Sequence, residues 1–334
     1  MIISRTPFRV SFLGGGTDIP WFYERFGGAV LCTSIDKYMY FSLHKMFEES
    51  KIYLKYSIFE LVSQAQELQH PIARTILTKY SLDSLDISVS SDIPAGSGLG
   101  SSSTFTVGLL HNVLKYLKRE ISPTVLAELA CEVEINLLAQ SIGKQDQFAA
   151  AFGGLNKFSF RQDGSVGVID YSEKLVHLQD CMYLARISKD SRSANQIMRM
   201  QIELLQSDKK ILDSMINLGN LVDEFIQSND WTVENLAYFV NQSWNAKKKS
   251  NPFASSPKVD QLIAEGTRNG AMAAKALGAG GGGFVLFLVP REHQERFEDF
   301  SLSHGQEVTK IAPSRLGSEI IFDTGSRGEN AHRN

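Results

Sequence analysis

The sequence predicts an α+β protein in two lobes, on three observations. The first half is rich in short aromatic and β-branched segments, residues 194–276 space their apolar side chains as helices do, and the end returns to strand, helix, strand, strand. No regular alternation of strand and helix runs through the chain, which argues against a doubly wound parallel sheet. A chain of 334 residues, 43% of them hydrophobic, is long enough to bury two cores. The expected division is an N-terminal mixed-sheet lobe over 1–180, a C-terminal α/β lobe over 181–323 and a frayed tail over 324–334.

Taken in order, strands are expected over 8–13, 29–35, 38–43 and 51–56, then an amphipathic helix over 61–80. Residues 85–90 alternate as a half-buried strand does, and beyond a glycine-rich run Phe105, Val107, Leu109, Leu110, Val113, Leu114 and Leu117 recur at helical spacing. Ser122 before Pro123 reads as an N-cap with proline at the first helical position, opening a helix to about Leu138. Strands return at 155–160, 166–170 and 182–187. The region 194–276 is expected to be helical, with breaks near Gly219, Asp230 and Asn251-Pro252. Strands at 284–289, 307–311 and 319–322 then flank a helix at 291–303.

A net charge of −3 with no conspicuously basic face argues against a nucleic-acid partner, and Lys247-Lys248-Lys249 reads as the solvated end of a helix. Cys32, Cys131 and Cys181 are odd in number and far apart, which suits a reducing compartment, and no metal-ligand spacing involves them or the seven histidines. No signal-peptide core or membrane-length apolar stretch is present, so a soluble cytoplasmic protein with no membrane partner is expected.

The chemistry concentrates in glycine-rich segments. The run from Asp92 to Ser103, DIPAGSGLGSSS, lies between a strand pattern and a helix pattern, the setting of a phosphate cradle: glycines admit an anionic oxygen close to the backbone, and a helix start offers unpaired N–H groups. It lacks the lysine of a Walker A loop. It is one residue short of a dinucleotide fingerprint, although the strand, loop and helix order and the position of Glu120 keep that alternative open. A turn without a ligand is the simpler alternative, but three serines at a helix start exceed what capping needs. Two more clusters occur at Arg5–Asp18, where Arg9 and Asp18 surround Gly14-Gly15-Gly16, and at Gly278–Gly283. Glu134 and Asp146 lie on a helix and in the polar break after it, so they could converge on one site. An acid beside Lys144 is equally well a surface ion pair.

Three glycine-rich segments and two acids in this order resemble the GHMP kinases, the superfamily of galactokinase, homoserine kinase and mevalonate kinase. The first motif is Arg5–Asp18, the second Pro94–Ser103 in the form Pro-x-x-x-Gly-Leu-Gly-Ser-Ser, the third Gly278–Gly283. The resemblance implies the two-lobed GHMP fold, with ATP as phosphoryl donor and Mg²⁺ as cofactor. It implies that Gly96, Ser97, Gly98, Leu99, Gly100, Ser101, Ser102 and Ser103 wrap the nucleotide phosphates, and that Ser102 and Glu134 ligate Mg²⁺. The interval from Glu134 to Asp146 is one residue longer than the family pattern, with Glu132 as the alternative ligand. Asp146 would act on the substrate hydroxyl, Arg9 would sit against it, and Gly15, Gly16, Thr17, Asp18, Gly281 and Gly282 would meet the sugar. Gly14-Gly15-Gly16 departs from the Gly-Glu-His of galactokinase, which argues against galactose.

The first motif and residues 143–154, GKQDQFAAAFGG, look most like the superfamily's bacterial heptose branch, which phosphorylates C1 of D-glycero-α-D-manno-heptose 7-phosphate on a route to surface polysaccharide. That likeness implies a phosphosugar acceptor. Its phosphate needs a cation, for which Arg192 at a helix start is the candidate, followed by Lys189 and Lys248. An L-fucose-type 1-kinase is the second reading, and a GHMP-fold sensor that binds without catalysing is the third.

Overall fold

A computed structural model describes residues 1–47, 50–188, 194–278, 280, 282–303 and 307–325. Two sheets organise them. In the first, β1 (Ile2–Leu13) runs antiparallel to β2 (Gly28–Lys45), an unbroken strand of 18 residues where two shorter ones were expected. The chain continues through α1 (Pro20–Phe26), β3 (Ile52–Lys55), β4 (Phe59–Val62), α2 (Pro71–Lys79) and β5 (Leu85–Ser91). The expected helix over 61–80 is therefore corrected. Its first residues pair with β3, and the helix starts only at Pro71, where the His70 ring nitrogen accepts the Ala73 N–H.

Next come α3 (Ser101–Tyr116), α4 (Pro123–Cys131), α5 (Gln145–Phe152), β6 (Leu155–Phe160) and β7 (Val166–Asp170). Ser122 caps α4 by accepting the Val125 N–H at 3.3 Å, as its sequence implies. The helix does not continue as α to Leu138: residues Glu132–Leu137 form a π-helical turn. A π turn takes up one residue more than an α turn, which accommodates the long interval between Glu134 and Asp146.

The second sheet contains β8 (Met182–Ser188), β9 (Ala273–Ala276), β10 (Gly283–Leu288) and β11 (Val308–Ile311), in the order β11-β8-β10-β9 and antiparallel throughout. Between β8 and β9 lie α6 (Ala194–Ser207), α7 (Lys209–Ser228), α8 (Val233–Ser250) and α9 (Pro257–Arg268), with α10 (Gln294–Ser303) after β10. Two expectations fail here. Gly219 breaks nothing: α7 runs through it, and the break is at Asp208, whose carboxylate caps α7. Residues 273–276 are strand rather than helix, because they pair with β10.

The final strand, β12 (Glu319–Asp323), returns to pair with β1, so residues 319–323 lie in the first sheet, whose main path runs β12-β1-β2-β5-β3-β4. Most of the expected tail lies outside the described residues. Among the described residues no helix is long and apolar enough to cross a membrane.

Packing of α3 on the first sheet sets up the site. A Cβ on Gly108 would come within 2.2 Å of the Phe41 ring, so glycine there lets α3 lie close against β1 and β2. Phe105, from the same helix, meets Phe41 edge to face at 5.4 Å. This brings the N-terminus of α3 beside Arg9 on β1. Helices α7 and α8 pack on β1 from the other lobe and carry the second sheet with them.

Candidate active site

The three glycine segments and the starts of α3 and α5 converge on one cavity of about 500 Å³, with Glu134 of the π turn behind its wall. In the second glycine segment Gly98 and Gly100 have φ of +76° and +83°, a conformation that other residues rarely adopt. A Cβ on Gly98 would lie 2.6 Å from the Leu277 carbonyl oxygen, so the second and third segments touch backbone to backbone. Gly100 is the N-cap of α3, and no side chain caps this helix. The first-turn N–H groups of Ser101, Ser102 and Ser103 thus stand at the cavity wall with the positive end of the helix dipole behind them. Gly96, Gly98 and Gly100 line the cavity with those serines. Ser97 and Leu99 are buried behind: the Ser97 hydroxyl accepts the Leu99 N–H at 3.2 Å, and the Leu99 carbonyl accepts the Arg9 N–H.

Arg9, only 3% exposed, donates from Nε and Nη2 to the two oxygens of Asp146 at 2.8 and 2.7 Å, and from Nη1 to the Gly98 carbonyl at 2.7 Å. Burial alone would lower the Arg9 pKa, but the charge and hydrogen bonds of Asp146 outweigh it and hold the guanidinium above its usual value. This bidentate fork fixes both partners in one plane. Asp18 is buried on the first segment, accepting the N–H of Gly16 and that of Gln145 at 3.0 Å each. Burial raises its pKa against those bonds. A Cβ on Gly143 would fall 1.7 Å from Asp18 Oδ2, so only glycine fits where this strap crosses.

Glu134 is fully buried. Its Oε1 accepts from the Ser102 hydroxyl at 2.6 Å and its Oε2 from the Gln147 amide at 2.7 Å. Burial pushes its pKa up, with Ser102, Ser103 and Gln147 pulling it back. The pair offers oxygens only, beside an uncapped helix start. That suits Mg²⁺, which takes one or two protein oxygens and fills its octahedron with water and phosphate. No cluster of three acidic, histidine or cysteine groups competes among the described residues. Glu132 instead pairs with Lys79 at 2.7 Å and is partly exposed.

Of the other residues expected at the site, Gly15, Gly16 and Gly282 line the cavity. Thr17 does not: it is buried, and its hydroxyl bonds to the backbone of Gly14 and Ala29, which shapes the turn. Gly281, Arg192 and Lys189 lie outside the described residues. Lys248 reaches over the Trp244 ring and does not line the cavity.

Sequence reasoning missed two lysines. Lys247, read as solvated, is half-buried in the cavity wall and donates to the Gly278 carbonyl at 2.6 Å. Lys275, on β9, is 2% exposed and donates to the Phe12 carbonyl at 2.8 Å. The alternation of β9 was masked by its alanines, and on α8 nothing distinguishes Lys247 from its two neighbours.

The model of the GHMP kinases N terminal domain matches residues 62–154, and that of the GHMP kinases C terminal domain matches 234–301. A D-glycero-alpha-D-manno-heptose 7-phosphate kinase of Campylobacter jejuni is 28% identical, over 90% of this chain and 96% of its own. A mevalonate kinase of Pyrococcus abyssi is 26% identical, over 82% and 81%. Among solved structures, a D-glycero-D-manno-heptose 1-phosphate kinase from Bacteroides thetaiotaomicron superposes with a TM-score of 0.77 at 24% identity, covering 97% of this chain and 99% of its own.

Proposed function

The chain belongs to the GHMP kinases and is an ATP-dependent sugar kinase; from that premise we propose that it phosphorylates the anomeric hydroxyl of D-glycero-α-D-manno-heptose 7-phosphate, giving the 1,7-bisphosphate for surface polysaccharide synthesis in the cytoplasm. The observation that carries a catalytic reading is the Arg9–Asp146 fork at the mouth of the uncapped α3, beside the Ser102–Glu134 pair. A sensor would have no need of that combination.

In this reading the first-turn N–H groups of α3 hold the donor phosphates, and Ser102 and Glu134 hold Mg²⁺, which neutralises charge on the phosphates. Asp146 accepts the hydrogen bond, and then the proton, of the sugar hydroxyl as its oxygen bonds to the γ-phosphorus of ATP and the bond from that phosphorus to the departing ADP breaks. Arg9 aims Asp146 through the two bonds of the fork, while Asp18, held by two backbone N–H groups, receives sugar hydroxyls. An anomeric hydroxyl is the more acidic kind, which suits a carboxylate base. The heptose assignment draws on the Campylobacter relative.

The test is an ATP-consumption screen over free and phosphorylated hexoses and heptoses, with the phosphate position of the product read by phosphorus NMR. Preference for heptose 7-phosphate with a new signal at C1 is expected. Preference for a free sugar such as L-fucose would replace this acceptor, and ATP binding without turnover on any sugar would remove catalysis.

A further inference from the structure

The charged groups in and behind the cavity wall fall into two kinds. Arg9, Asp18 and Glu134 are each held by two or more polar partners. Lys247 and Lys275 each make one hydrogen bond among the described residues, to a backbone carbonyl, which leaves two N–H donors on each ammonium unspent. Neither forms an ion pair with a described carboxylate. Withdrawing an ammonium from water without an ion-pair partner is costly, and the cost shows: desolvation, with Arg9 adding to it and Asp18 and Asp146 only partly offsetting it, brings Lys247 down to about 8, while burial, Lys247 and Arg9 together pull Lys275 well down.

A third group shares this wall. Ser11 is 7% exposed, lines the cavity, and its hydroxyl has no hydrogen-bond partner. It lies on β1 one residue before Phe12, the carbonyl that Lys275 holds, and a Cβ on Gly15 would sit 3.1 Å from its oxygen. All three groups line the cavity that the start of α3 also lines: Ser11 and the Phe12 carbonyl held by Lys275 belong to the first glycine segment, and the carbonyl held by Lys247 belongs to the third. Two unspent ammoniums and an unpartnered hydroxyl around a polar cavity make an arrangement whose missing member is a multiply charged oxyanion.

We infer that Lys247, Lys275 and the Ser11 hydroxyl form a subsite for a phosphate dianion, and that the dianion is the one the acceptor sugar carries. This rests on the phosphosugar reading of the acceptor. It assigns the distal phosphate to the wall built by α8 and β9, with Lys247 and Lys275 as the cations rather than the Arg192, Lys189 and Lys248 expected from sequence. A dianion here completes both ammoniums, whereas a free hexose leaves them without an ion-pair partner.

Inorganic phosphate is the probe that does not depend on turnover. The full chain is first saturated with Mg²⁺ and a non-hydrolysable ATP analogue, so that the nucleotide loop is filled, and then titrated with phosphate by calorimetry. Wild type binds phosphate; Lys247→Met and Lys275→Met each weaken it at least tenfold, the loss of a charge-assisted bond, and Lys247→Arg restores most of it. Melting curves of all variants identify any that fail to fold, in which case Ser11→Ala and Lys247→Arg, with smaller losses, carry the comparison. Unchanged phosphate affinity in folded Lys247→Met overturns the subsite.

The second arm compares heptose 7-phosphate with the unphosphorylated heptose. Lys247→Met raises KM for the phosphorylated sugar at least tenfold more than for the free one. Equal losses on both sugars, or a matching loss of affinity for the ATP analogue, would place the dianion on the nucleotide and overturn the assignment to the acceptor. If wild type prefers a different phosphosugar, the heptose reading fails while the phosphate titration still decides the subsite.

Discussion

The cavity holds its cations in two opposite ways. Arg9 is neutralised in place by Asp146, in a fork whose geometry is complete before any ligand arrives. Lys247 and Lys275 are held by single carbonyls and form no ion pair among the described residues, with Asp18 and Asp146 attracting Lys247 only from beyond contact. The first arrangement serves a group that must be aimed. The second serves a group that must be met, and the charge left over indicates what meets it.

Asp146→Asn tests the first arrangement most severely. It keeps the shape but removes the base, so turnover falls by about 10²–10⁴ while ATP still binds; single-turnover assays beside nucleotide titration check this, and near-wild-type turnover would remove Asp146 from the chemistry. Next in size is the contrast in stability. Arg9→Met leaves Asp146 unpaired and costs about 3 kcal/mol, the low end for a buried pair because Asp146 keeps a quarter of its side-chain surface exposed. Urea unfolding measures this cost. By contrast, Lys247→Met removes a charge that the fold holds at a cost, and its melting temperature at pH 7 equals or exceeds that of wild type. A destabilisation like that of Arg9→Met would erase the distinction between the two arrangements.

The contrast also has a pH signature. Lys247 titrates at about 8 in the folded chain and near 10.5 when unfolded, so between those values the unfolded state binds more protons. Stability contributed by this group therefore rises with pH from about 8 to 10.5, and the rise is missing in Lys247→Met. Glu134 runs the other way. Its raised pKa makes the Mg²⁺-free fold lose stability as pH climbs above the ordinary carboxylate value. Melting curves across pH for Glu134→Gln, which lacks that decline, check the sign. The smallest effect is expected at Thr17→Val, which loses the hydroxyl bonds to the Gly14 and Ala29 backbone. About 1–2 kcal/mol of stability goes, with KM and kcat for the sugar nearly unchanged, because Thr17 does not face the cavity.

What could be read in the sequence was what glycine, proline and capping residues announce locally. The second glycine run, the Ser122-Pro123 helix start and the strands at 155–160 and 166–170 all depend on nearby residues, and they stand where their spacing puts them. What could not be read depends on partners far along the chain. The strand over 273–276 consists of alanines and a lysine and is a strand only because β10 lies beside it. Gly219 reads as a break, yet α7 runs through it, and a Cβ there would only touch Thr17 at 3.7 Å, an ordinary contact. The inward turn of Lys247 follows from where α8 meets the third glycine segment, and three consecutive lysines carry no sign of it. The π turn under Glu134 is equally silent.

The pairing of β12 with β1 has a consequence for how the molecule is made. Arg9 lies on β1, and one edge of that strand, at residues 2–5, waits for residues 319–323 to cover it. At about 5–20 residues per second, the wait lasts roughly 15–60 s. For that time a nascent chain presents an apolar strand with open backbone groups, the kind of edge that recruits other chains. Formation of the fork with Asp146 can begin once α5 emerges, but the strand that carries Arg9 is completed only when β12 has been made. Chaperone dependence should therefore track the last strand, and truncations that stop before residue 319 should aggregate during translation even though every motif of the active site has already been made.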